Sequence, residues 1–168
     1  FLMDTQTAGI KALDWAVANK DRVEQQLQRQ GAVLVRGLNI PSSKLLGKVL
    51  CTLFGGDLLE YMYRSTPRTA VKNNVYTATE YASDQVIAQH NEMAYSNSWP
   101  LRIGFYCLLP SSAGGQTPIA DSRQIYQAIP KAIRDEFEAK KIRYIRNYSE
   151  LDLPWQEVFC TQNKQQVE

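Results

Sequence analysis

Histidine is almost missing from this sequence. His90 is the only one, so a metal centre built from several imidazoles of this chain is excluded. Cysteine is scarce too. Cys51, Cys107 and Cys160 are odd in number and widely spaced, which fits neither a disulfide framework nor a zinc site, and they read as buried or incidental thiols. Long apolar runs are absent: a stretch such as "GAVLVRGL" falls far short of the roughly 20 residues needed to span a bilayer. The opening "FLMDTQTAGIK" lacks the basic start and apolar block of a signal peptide. The chain is therefore expected to be cytoplasmic, with no membrane partner. Neither sign of charge dominates, with 19 Lys and Arg against 17 Asp and Glu and a net charge of +2. The basic residues are scattered, so there is no continuous face to grip phosphate backbones, and nucleic acid is not an expected partner.

What is present is the composition of one soluble globular domain: 168 residues, 44% hydrophobic and 21% charged. Asn19 is a candidate N-cap for a helix over "KDRVEQQLQRQ", with Val23 and Leu27 on one face and Gly31 as its stop. "AVLVRGL" reads as a buried strand. Ser42 or Ser43 can cap a second helix, "KLLGKVLCTLF", whose Leu45, Leu46, Val49, Leu50 and Leu53 form a wide apolar stripe ended by Gly55 and Gly56. β-Branched and aromatic residues then concentrate in "VYTATEY" and "LRIGFYCLL", which predicts sheet strands. After the loop "PSSAGGQTP", a helical region runs from Asp121 to Lys141, with Pro130 placed to open a new helix that turns Ile133 and Phe137 inward. "IRYIRNY" is expected to close as a strand. The layout favours an α+β domain with a mainly antiparallel sheet.

The one histidine stands in "IAQHNEMAYSNSWP", two residues before Glu92. At a strand end, residues i and i+2 point to one face about 6.5–7 Å apart along the backbone, so His90 and Glu92 can converge on one cation while Asn91 points away. Two histidines and one carboxylate on one face of an octahedral ion leave open positions for a co-substrate and O₂, and His90 with Glu92 supplies two of those three ligands. Spacing alone also permits a surface or hydrogen-bonded histidine with no ligand role.

The text around the pair, "QHNEMAYSNSWPLRIGFYCLLPSSAGGQTPIADSR", resembles the Fe(II)/2-oxoglutarate-dependent dioxygenases of the taurine dioxygenase (TauD/TfdA-like) family, clavaminate synthase-like branch. The resemblance covers about residues 30–148. It implies a double-stranded β-helix, or jelly-roll, with flanking helices. His90 falls on the family's proximal metal histidine, Glu92 on its carboxylate ligand, and Thr117 in "GGQTP" on the threonine that hydrogen-bonds the distal carboxylate of 2-oxoglutarate. In most members the carboxylate is aspartate; glutamate is a feature of the clavaminate synthase-like branch. Related halogenases carry a small residue there, so Glu92 argues against halogenation.

The resemblance further implies Fe(II) and 2-oxoglutarate as cofactor and co-substrate, and hydroxylation of a small or carrier-tethered amino-acid-like substrate as the reaction. Asn74, Tyr76 and Tyr95 are candidates for the substrate pocket, although sheet packing accounts for tyrosines equally well. Arg102 fits an anionic substrate group or a solvated strand edge. The paired glycines Gly114 and Gly115 suit a turn that aims Thr117 inward. The family's second histidine and its co-substrate arginine lie beyond the stretch that matches Tyr148, and this sequence has no second histidine. The expectation is that residues 1–168 are the N-terminal portion of a single TauD/TfdA-like domain, holding iron poorly by themselves. A non-catalytic jelly-roll binding module without a complete metal triad is the alternative.

Overall fold

The computed structural model describes residues 1–5, 9–60, 69–72, 74–78, 86–96, 98–145, 147–149, 151, 154–159 and 161–167. Cys160 and residues 79–81 of "VYTATEY" lie outside them. The chain divides into two compact units, the first made of residues 1–61, 66–81 and 102–110, the second of residues 62–65, 82–101 and 111–168.

The first unit is built on two helices. Helix α1 spans Ala12–Gln30 and α2 spans Ser43–Phe54. α1 begins well before Asn19, because Ala12, Leu13, Trp15 and Ala16 are helix formers with an apolar face to bury, and Asp14 lies favourably in the first turn. Asn19 does not cap this helix: it sits in the interior, where its side-chain amide donates to the Trp15 carbonyl at 2.9 Å. Gly31 ends α1 in the left-handed conformation, its N–H donating to Leu27 O. α2 starts as its sequence predicts, with the Ser42 hydroxyl accepting from Leu45 N at 3.2 Å, and stops at Gly55. Trp15, Ala16 and Val23 of α1 pack with Leu46, Val49 and Leu53 of α2, and Met3 and Ile40 complete the core. Each such large apolar side chain contributes roughly 1.5–3 kcal/mol on burial.

Strand β1 (Leu2–Asp4) pairs in parallel with β2 (Leu34–Arg36), Met3 opposite Val35. β2 is shorter and less covered than the buried strand expected from "AVLVRGL": among the described residues β1 alone pairs with it, and Leu34 is 52% exposed. β3 (Ala70–Lys72) and β4 (Val75–Tyr76) form an antiparallel pair. The described residues therefore hold two separate two-stranded ladders, one of each sense, rather than a mainly antiparallel sheet. "LRIGFYCLL" is not a strand here, and neither are the described residues of "IRYIRNY". A strand needs a neighbour to take its N–H and C=O groups, and periodicity cannot supply one. Residues 102–110 instead run irregularly, and at Gly104 a Cβ would come within 2.7 Å of the Leu50 side chain on α2. A larger residue there would have to push the flexible end of Leu50 aside.

The second unit holds α3 (Ser122–Ala128), α4 (Lys131–Lys140) and α5 (Trp155–Val158), and the described residues between α4 and α5 are irregular. Pro130 immediately precedes α4, and its carbonyl accepts from Ile133 N and Arg134 N. Ile133 and Phe137 do not face inward as expected: they are 46% and 57% exposed. α4 is held to α3 by polar contacts, Tyr126 donating its hydroxyl to Glu138 while the Arg134 guanidinium lies 4.7 Å from the Tyr126 ring centroid. Among the described residues, no helix is long and apolar enough to cross a membrane.

A candidate metal-binding loop

His90 lies in irregular chain, and Glu92 opens the turn that follows. The strand end expected for them is absent, and a tight turn takes its place: Met93 adopts a left-handed φ of 53°, and Ser96 N donates to Met93 O at 3.0 Å. The turn still brings the two side chains together, with His90 Nε2 3.3 Å from Glu92 Oε2.

The other ring nitrogen, Nδ1, lies 2.8 Å from the Ala88 carbonyl. A carbonyl oxygen only accepts, so Nδ1 carries the proton and donates. In the neutral ring the lone pair is then on Nε2, facing the carboxylate. A lone pair and a carboxylate oxygen repel unless a positive charge lies between them, either a proton on the ring or a cation. Nitrogen and oxygen ligands at about 2.0–2.2 Å on adjacent octahedral positions would stand about 3 Å apart, close to the spacing here. The backbone carbonyl behind Nδ1 is also the usual device for fixing the tautomer and orientation of a metal-binding imidazole. The donor pair fits a divalent cation. His90 and Glu92 side chains are 57% and 28% exposed, which leaves solvent access to both donors. Among the described residues no group of three His, Cys, Asp or Glu gathers around one point.

The other candidates are placed as follows. Thr117 belongs to the same unit and lies exposed in the chain after Gly114 and Gly115, which both take positive φ. At Gly115 a Cβ would also meet Ser111 Cβ at 2.7 Å, so this turn requires glycine twice over. Tyr95 is exposed in the turn that begins at Glu92. Asn74 and Tyr76 belong to the first unit, Asn74 with a φ of 56° and its amide donating to Leu58 O at 2.7 Å, Tyr76 half-buried in β4. Arg102, also in the first unit, pairs with Glu24 at 2.5 Å and stacks 5.4 Å from the Phe54 ring centroid. The Glu24 carboxyl is held below its ordinary value by hydrogen bonds from Gln28 and then Arg102. These contacts give Arg102 a packing role within its own unit.

A contact that no sequence pattern marks stands behind the loop. The Ser122 hydroxyl lies 3.0 Å from Asn91 Oδ1. Next to it, Asp121 accepts from Arg123 N and is gripped by both ends of the Arg123 guanidinium, which lowers its carboxyl below the usual range. "ADSR" carries a helix-cap signal, but nothing local points 31 positions back.

Residues 4–164 match the profile of the taurine catabolism dioxygenase TauD, TfdA family. The chain is 38% identical over 147 residues to the dapdiamide synthesis protein DdaC of Enterobacter agglomerans, covering 87% of this chain and 44% of that protein. It is 34% identical over 160 residues to a clavaminate synthase-like protein of Arabidopsis thaliana, covering 89% of this chain and 48% of that one. The chain thus spans about half the length of these curated relatives.

Proposed function

The chain belongs to the TauD/TfdA family, on its clavaminate synthase-like branch, and from that premise we propose that the protein is a non-haem iron oxygenase. It couples oxidative decarboxylation of 2-oxoglutarate to hydroxylation of a small or carrier-tethered amino-acid-like substrate, on a jelly-roll fold. The observation that carries this reading is the His90–Glu92 pair, with Nε2 turned toward the carboxylate and Nδ1 tied to the Ala88 carbonyl. Bound ferrous iron would supply the redox chemistry, oxidising 2-oxoglutarate to succinate and CO₂ with O₂ and delivering the second oxygen atom to a substrate C–H bond.

The residues of this chain bind and orient. His90 gives a neutral nitrogen whose ring cannot rotate without losing the Ala88 contact. Glu92 gives the anion that offsets part of the ion's charge. Thr117 donates its hydroxyl to the distal carboxylate of 2-oxoglutarate. The second histidine and the arginine for the co-substrate come from residues outside this sequence, in keeping with relatives about twice as long. That one relative is named for dapdiamide synthesis supports a biosynthetic substrate.

A second reading, a non-catalytic binding module, draws on the absence of a three-ligand group among the described residues. Anaerobic addition of Fe(II) and 2-oxoglutarate to the whole protein separates the two. The oxygenase gives the weak visible charge-transfer band of a keto acid chelated to ferrous iron, and O₂ then yields succinate. A protein that binds no iron leaves only the module.

A further inference from the structure

Asn91 stands between the two metal-ligand candidates in sequence. With His90 and Glu92 turned to each other at 3.3 Å, the residue between them is free to reach elsewhere, and its side-chain oxygen accepts from the Ser122 hydroxyl at 3.0 Å. Ser122 is the first residue of α3, whose start is fixed by Asp121 and its two-ended grip on Arg123. The loop needs such an anchor. Met93, directly after Glu92, sits at positive φ, a conformation that non-glycine residues keep only where surrounding contacts impose it.

We propose that Ser122 and Asn91 form a positioning pair for the metal-binding loop, in which Ser122 holds residue 91 so that the His90 and Glu92 donor atoms converge before the ion arrives. A swing of the backbone at residue 91 would carry both donors apart at once, so one neutral hydrogen bond at this place preorganises two ligands. The inference rests on the reading of His90 and Glu92 as ligands.

Co(II), added anaerobically to the whole protein without 2-oxoglutarate and followed by its visible absorption, is the probe. Ser122→Ala and Asn91→Ala each weaken Co(II) binding about 3–10-fold, the loss expected for one net hydrogen bond. The double variant is no weaker than either single one, because both remove the same contact. Ser122→Thr keeps the hydroxyl and restores affinity. In the metal-free protein, amide exchange over residues 90–93 speeds up in Ser122→Ala while thermal unfolding of the protein is little changed.

Co(II) affinity equal to that of the unsubstituted protein in both alanine variants overturns the inference while leaving the ligand reading standing. Additive losses in the double variant overturn it as well. If His90→Ala binds Co(II) as tightly as the unsubstituted protein, the ligand reading itself fails, and the positioning role falls with it.

Discussion

At the residue scale, His90, Glu92 and Thr117 are expected to fail in different ways when removed. His90→Ala deletes the nitrogen, and Glu92→Ala the anion, proposed to hold the ion, so either should abolish the charge-transfer band and uncouple O₂ consumption from product. Thr117→Ala leaves the ion's ligands whole and removes one hydrogen bond to the co-substrate, worth about 0.5–1.5 kcal/mol, or up to ~3 kcal/mol to a charged acceptor. Its signature is a raised 2-oxoglutarate requirement with iron binding retained; unchanged succinate formation in Glu92→Ala would falsify the ligand assignment. The convergence of His90 and Glu92 was legible in the sequence because a separation of two residues allows it in both a strand and a tight turn. Their actual setting was not, since the left-handed φ of Met93 has no glycine or asparagine to announce it. Arg102 was equally opaque: its partners Glu24 and Phe54 lie far away in the chain.

At the scale of elements, the termini of helices were readable and the ladders were not. Ser42 at the start of α2, and Gly31 and Gly55 at the ends, act through atoms within four residues, so their chemistry fixes their place. Asn19 misled because the same amide that can cap a helix can also bond back to a carbonyl inside one. "LRIGFYCLL" misled because its apolar and aromatic content states only that a pleated surface would suit it. Ser42→Ala should lower stability by about 1 kcal/mol, read as a shift of the urea midpoint without a change in slope. The cap of α3 should respond to acid. The Asp121 carboxyl is depressed by Arg123, so its contribution is present above the ordinary carboxylate range and is lost as pH falls through the lowered folded value. Exchange at Gln124 and Ile125, whose amides bond Asp121 O, should accelerate in acid. Asp121→Asn, which keeps an oxygen acceptor without the charge, should flatten that response; an identical pH profile in both proteins would contradict it.

For the whole molecule, the distribution of burial is uneven. The core cluster belongs to the first unit, whereas Ile133, Phe137, Ile142, Tyr144 and Ile145 of the second unit are exposed. A 168-residue chain made as printed should therefore bind an apolar dye such as ANS and self-associate at micromolar concentration. Ile133→Lys with Phe137→Lys should reduce both effects, as dye fluorescence and size-exclusion elution would report; a monomer that binds no dye would refute the expectation. The α1–α2 pairing has a consequence in time. Its core lies wholly between Met3 and Leu53, so none of it waits for a later residue, and helical pairs of this kind fold within milliseconds. A ribosome adding roughly 5–20 residues per second takes about 2–7 s to travel from Phe54 to His90. The helical pair can thus be settled before the first proposed iron ligand has been synthesised, and the ligand loop emerges after part of its own chain has already folded.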